Sequence, residues 1–278
     1  MNNTNGTDAN ALIGVQEQIL PRLGAGLFSH AHVGELALNG GLAMRAQGFA
    51  PTRRLRNLEL LVNETCEPAR LDRLVRRGVK GALRDGDLVN TEVSGPVHAR
   101  TGAARMRWEM KGKRPDGAEV SLYIGACRGP IDASTVEIRQ LRASPSDRES
   151  AWAEVCLPEY IALTRLDRIL EGPAGAATAL YDLAALVRSG VSVPAHVLRK
   201  SVGSGLQALP DVIRQGVERI SWARFRDEIM ALEPRLSPGA ELTSDTFGML
   251  KSLVCDTVGE WASLAIEDDE DDDLPSPG

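Results

Sequence analysis

ARMRWEMKGKR (residues 104–114), Pro115-Asp116-Gly117 and AEVSLYIG (residues 118–125) alternate apolar and polar side chains on either side of a turn tripeptide. That is the pattern of a β-hairpin, so the first half of the chain contains a sheet. Working outward toward the N-terminus, the short apolar run Leu58 to Val62 reads as a strand. Pro68 to Arg84 places Leu71, Leu74, Val75, Val79 and Leu83 on one helical face, with Gly78 and Gly81 weakening it. Across His32 to Ala46 the pattern predicts a helix, a glycine turn at Gly40-Gly41 and a second helix. Ala11 to Phe28 predicts an opening helix through Leu12, Val15, Ile19 and Leu23, with Pro21 expected to kink or end it.

Beyond Pro158 the pattern changes to helices throughout. PEYIALTRLDRILE, ATALYDLAALVRSG, PAHVLRKSVGSGLQAL, ISWARFRDEIMAL and SDTFGMLKSLVCDTVGEWASLA are separated by turns containing Gly or Pro. No repeat of fixed period occurs. The expected class is α+β: a leader over 1–10 with disordered composition, an α/β domain over 11–150, a helical domain over 151–266 and a disordered acidic tail over 267–278.

Composition narrows the class of protein. The 278 residues are 43% hydrophobic and 25% charged, average for a globular chain. No apolar run approaches the roughly 18 residues a membrane span needs. MNNTNGTDAN has no basic residue ahead of an apolar stretch and does not read as a secretory signal, so the expectation is a cytoplasmic protein without a membrane partner. Cys66, Cys127, Cys156 and Cys255 lack CxxC spacing and read as buried thiols. Glu267 to Asp273 is a run of seven acids, and apart from it the net charge of −6 becomes +1. The folded body is near neutral.

The chemistry concentrates around the glycine pair. Two glycines ahead of a helix let backbone N–H groups approach a phosphate, or simply make a tight turn. RRLRNLELLV then puts Asn57 and Glu59 at alternate positions of a strand, so both side chains point to one face. A pair of carboxylates in that arrangement is what holds two Mg²⁺ ions for nucleotidyl transfer.

The order helix, LNGG, helix, basic stretch, x-acid pair on a strand, helix, hairpin, PEYIALTR, ALYDLAAL resembles the AbiEii-type nucleotidyltransferases, the abortive-infection toxins of type IV toxin–antitoxin systems. The resemblance runs from Leu36 to Val202, and RISWARFRDEIMAL is similar to the family's later helices. It implies a nucleotidyltransferase-like small mixed sheet with flanking helices, an NTP and Mg²⁺ as substrate and cofactor, tRNA or another RNA as acceptor, and a cognate antitoxin or other protein partner.

Carried over residue by residue, the resemblance assigns nucleotide binding to Gly40, Gly41, Arg53, Arg165 and Asp182, and catalysis to Asn57 and Glu59, with Glu59 as metal ligand. Asn39 stands where the family commonly has lysine. The family's Asp-x-Asp falls on Asn57 and Glu59 after a two-residue insertion, and Leu55 takes its usual Thr or Ser position. Its third acid falls on Tyr123, its phosphate-contacting lysine on Arg165, and its later Arg-Asp on Thr178 and Ala179, leaving Tyr181 and Asp182.

A neutral amide such as Asn57 offers a cation one oxygen and no charge, and a tyrosine with a reference pKa of about 10 stays protonated. Glu59 alone replaces three carboxylates. One weak metal site stays open, but a two-metal site lacks support, so the site reads as degenerate and Mg²⁺ and NTP are expected to bind weakly or not at all. Each residue also has a plainer use: Glu59 as a polar group beside a pocket, Arg165 in a salt bridge, Asp182 as a structural acid needing a buried partner. His30 and His32, two apart, share no helical face and receive no role.

Arg53, Arg54 and Arg56, then Arg70, Arg73, Arg76, Arg77 and Lys80, then Arg105, Arg107, Lys111, Lys113 and Arg114 make a basic surface suited to RNA or a triphosphate, or a solvated face. Three functions stay open. The chain is a degenerate nucleotidyltransferase-fold protein of a toxin–antitoxin or phage-defence system that binds nucleotide, RNA or a partner. Or it is an active NTP:RNA or NTP:protein transferase using Glu59 with Glu64 or Glu119. Or it is a protein-interaction module without nucleotide affinity.

Overall fold

The computed structural model describes residues 4–49, 53–83, 88–98, 106–142, 150–233 and 242–272. The chain divides into two compact units, Met1–Leu157 and Pro158–Gly278. The first contains α1 (Thr4–Phe28), β1 (Leu36–Asn39), α2 (Gly40–Ala46), β2 (Asn57–Asn63), α3 (Pro68–Ala82), β3 (Val89–His98), β4 (Met106–Lys113), β5 (Glu119–Gly129), β6 (Val136–Arg142) and β7 (Ser150–Cys156). The second contains α4 (Pro158–Glu171), α5 (Ala176–Arg188), α6 (Ala195–Val202), a 3-10 turn (Gly203–Ala208), α7 (Leu209–Glu218), α8 (Trp222–Leu232) and α9 (Ser244–Asp272). The class is α+β.

The strands form one mixed sheet in the order β3-β4-β5-β2-β1-β7-β6. The boundary between units lies after Leu157 rather than at 150, because β7 runs parallel beside β1 and belongs to the sheet. The expected helix before the glycine turn is instead strand β1. All four of its residues are buried between β2 and β7, and a strand covered on both faces gives a continuous apolar run without the alternation that marks a half-exposed one.

Helix α1 continues through Pro21 without ending there. Ile19, Leu20, Leu23 and Leu27 are all fully buried, and at about 1.5–3 kcal/mol each their burial outweighs the roughly 3 kcal/mol cost of an internal proline. Residues 4–10, expected to be disordered, extend the same helix, since lengthening an existing helix is far cheaper than starting one. At the other end, residues 267–272 of the expected disordered tail continue α9. Arg199 of α6 holds that end, donating to the Ala265 carbonyl and to Asp268, each at 3.1 Å. Residues 1–3 and 273–278 lie outside the described residues.

Helix α3 packs its stripe of Leu71, Leu74, Val75 and Val79 inward. Gly78, a weakness by propensity, is where α1 comes closest: a Cβ there would stand 2.8 Å from the Leu27 side chain. Trp108 of β4 is fully buried beneath the sheet and donates its indole N–H to Asp72 of α3 at 3.0 Å. Among the described residues no helix is long and apolar enough to cross a membrane.

Candidate functional site

The glycine turn is built by Asn39, the last residue of β1, whose side chain accepts from Gly40 N at 2.7 Å and caps α2. Gly40 has φ of +65°, the left-handed region that favours glycine. Gly41 serves a different purpose. A Cβ on it would lie 1.7 Å from Nη1 of Arg53, so the absent side chain is the space the buried guanidinium fills.

Two residues given no role by sequence hold Arg53 there. Arg45 donates to the Arg53 carbonyl at 2.7 Å and to Glu17 of α1 at 2.6 Å. The other Glu17 oxygen accepts the N–H of Leu55. One carboxylate thus clamps both ends of the segment carrying Arg53. Glu17 looks like any acid on an amphipathic helix, and no local pattern marks it.

Strand register places the remaining polar groups. Antiparallel β1 and β2 pair Asn39 with Glu59. Parallel β2 and β5 pair Asn57 with Tyr123 and Glu59 with Gly125. Antiparallel β5 and β4 pair Tyr123 with Glu109 and Gly125 with Arg107. Paired residues project from the same face, so two polar rows cross the sheet: Asn39, Glu59, Gly125, Arg107 and, beside it, Asn57, Tyr123, Glu109. The structure therefore brings Asn57, Glu59 and Tyr123 together beside the glycine turn.

Glu109 is an acid on this face that the sequence reading passed over. It accepts the Tyr123 hydroxyl at 3.0 Å and lies 3.5 Å from the Lys111 ammonium, while the Arg107 guanidinium sits over the Tyr123 ring at 3.8 Å. Burial pushes its carboxyl up, but the Tyr123 hydrogen bond and the Lys111 charge prevail and hold it below the usual range. Counting residues outward from the Pro115-Asp116-Gly117 turn would have found it opposite Tyr123. Two strand spacings and one pleat repeat separate its backbone from that of Glu59, about 12 Å. Glu64 is exposed in the turn after β2, and Glu119 stands at the far end of the hairpin, 4.0 Å from Lys113. Among the described residues no group of three or more His, Cys, Asp or Glu side chains is arranged to hold a metal ion. Amide, phenol and one carboxylate do not fit a pair of Mg²⁺ ions.

In the helical unit, Arg165 of α4 meets Asp182 of α5 at 3.1 Å, with side chains 5% and 0% exposed. Asp182 thus has the buried partner an acid in an apolar helix requires. On the same helix Thr178 bonds Glu228 of α8 at 3.3 Å, and the Tyr181 ring lies 6.5 Å from Phe225.

Many of the basic residues singled out earlier are anchors. Arg70 grips Glu35 through two nitrogens at 3.0 and 3.1 Å and donates to the His30 carbonyl. That hydrogen bond holds the Glu35 carboxyl below its ordinary value against the opposing effect of burial. Arg76 bonds Asp72 and the carbonyls of Val93 and Gly95. In the hairpin, Lys111, Lys113 and Arg114 pair with Glu109, Glu119 and Asp116. Arg73, Arg77 and Lys80 are exposed along α3, and Arg105 lies outside the described residues.

No family model and no curated protein sequence matches this chain. Among solved structures, JHP933 from Helicobacter pylori is similar at 14% identity, with a TM-score of 0.44 over 95% of this chain and 94% of that one. A candidate nucleotidyltransferase from H. pylori is similar at 15% identity, with a TM-score of 0.40 over 96% of this chain and 98% of that one.

Proposed function

We propose that this chain is an AbiEii-like nucleotidyltransferase-fold protein of a toxin–antitoxin or phage-defence system that has lost nucleotidyl transfer and acts by binding. The observation that carries the reading is the register row beside the glycine turn: Glu59 is flanked by Asn39 and Gly125, while the neighbouring row offers Asn57 and Tyr123. A strand, glycine turn and helix followed by an antiparallel strand with a polar pair is the arrangement a nucleotidyltransferase uses to bring metal-bound triphosphate to its acceptor. Here the charge that would hold the metals is missing from that arrangement. Arg53 supplies charge of the opposite sign, a planar guanidinium suited to two-point contact with a phosphate. In this reading the cation offered to a phosphate beside the glycine turn is Arg53, whose guanidinium is buried against Gly41.

Arg165, buried against Asp182, is assigned to the stability of the helical unit. The paired hairpin lysines and arginines lower the weight of RNA as the ligand, so nucleotide or a protein partner is preferred. Incubating the protein with each labelled NTP, Mg²⁺ or Mn²⁺ and total tRNA tests the loss of transfer. The expected result is no label on RNA or protein above a blank lacking the chain. Label transfer abolished by Glu59→Ala would establish an active enzyme instead. In calorimetry without metal, NTP binding is expected in the millimolar range or weaker, reduced about tenfold by Arg53→Ala.

A further inference from the structure

The two edges of the sheet are finished differently. Edge strand β3 carries Pro96, which has no N–H to offer, and its pairing with β4 slips twice, between Val89 and Glu92 and between Ser94 and Val97. Arg76 also covers the carbonyls of Val93 and Gly95. These are devices that stop another strand from adding to an edge. Among the described residues, edge strand β6 shows no proline and no register slip. It pairs with β7 residue for residue from Val136–Cys156 to Arg142–Ser150, without proline or bulge.

One face of this edge carries two exposed apolar side chains, set beside Gln140 and Glu154. Ile138 is 61% exposed and Trp152 68%. Trp152 pairs with Gln140, two residues from Ile138, so both project from the same face. Gly34 N donates to Glu154, the partner of Ile138, at 2.7 Å, and its chain neighbour Val33 is 87% exposed. The opposite face carries Glu137 and Arg139, 2.9 Å apart.

We infer that β6 pairs antiparallel with β6 of a second copy of this chain, across a two-fold axis at Ile138. That register sets Glu137 opposite the partner copy's Arg139 on both sides of the axis, and Ile138 opposite its own equivalent. Trp152 and Ile138 of each copy then share one face of the joined sheet. A strand whose charges read as acid, centre, base is complementary to itself under this symmetry, and to no other register as fully. The inference stands apart from the nucleotide reading, and neither depends on the other.

Sedimentation equilibrium of the full chain from low to high micromolar concentration, with charge-exchange variants, tests it. The wild type is expected to dimerise. Arg139→Glu and Glu137→Arg, each placing like charges opposite, are expected to weaken the dimer about tenfold or more. The double variant restores it, and an equimolar mixture of the two single variants forms a mixed dimer. A wild type that stays monomeric, single variants that dimerise like wild type, or a double variant that stays as weak as the singles would each overturn it. As a check free of mutation, hydrogen exchange at the β6 amides of the wild type should slow as concentration rises. Exchange independent of concentration overturns the inference.

Discussion

The partly exposed arginines that pin the α/β unit and the buried Arg165 of the helical unit are used in different ways. In the α/β unit, Arg45, Arg70, Arg76 and Arg128 each reach a backbone carbonyl, and so pin the segments around the glycine turn, after α1, along β3 and after β2. In the helical unit, Arg165 meets the carboxylate of Asp182 out of contact with water. A guanidinium that reaches the carbonyl of a partly exposed segment gives up one hydrogen bond when that segment moves, and water replaces it. A buried pair has no such substitute, because removing either member leaves the other charge stranded. The difference also explains why arginine counting in the sequence overstates a basic binding surface.

The largest effect should follow from breaking the buried pair. Asp182→Ala is expected to destabilise the protein by about 3–5 kcal/mol in urea unfolding, whereas replacing both partners with apolar residues of similar volume costs far less. If the single and double variants unfold alike, the contrast between the units fails. Next comes Asp72→Ala, which leaves the buried Trp108 indole N–H without its acceptor and takes the carboxylate from Arg76, whose bonds to the Val93 and Gly95 carbonyls stay. A loss of about 1–3 kcal/mol is expected from the same measurement.

The Arg70–Glu35 anchor gives a smaller, pH-dependent effect. Because the folded Glu35 carboxyl titrates below its ordinary value, its contribution is complete above the unfolded pKa and is lost as pH falls through the folded one. Thermal melts should show Glu35→Gln less stable than wild type near neutrality, with the gap closing on acidification below about pH 4. Smallest of all, Arg77→Ala on the exposed side of α3 should leave the melting temperature unchanged, as expected for a solvated arginine.

What could be read from the sequence followed how local each signal was. The hairpin, β2, α3 and many of the helices after Pro158 carry their own periodicity. Strand β1 did not, being buried on both faces; β6 alternates over Val136 to Arg139 but turns Ile138 outward, and Glu154 dilutes the alternation of β7. At the candidate site, Asn57 and Glu59 were legible because two residues on one strand share a face, and Tyr123 fell beside Asn57 through the parallel pairing of β2 with β5. Glu17 and Arg45 were not, since their meaning lies in partners 28 and 38 residues from Glu17. The use of Gly41 was equally hidden: a tight turn and a seat for Arg53 look identical in sequence.

The shortage of negative charge beside the glycine turn is tested most directly by titrating Mn²⁺ into the protein with a non-hydrolysable NTP and counting bound ions by electron paramagnetic resonance. One weakly bound ion or none beyond the Mn²⁺–NTP complex itself is predicted, with Glu59→Ala changing little. Two tightly bound, magnetically coupled ions that vanish in Glu59→Ala would contradict it.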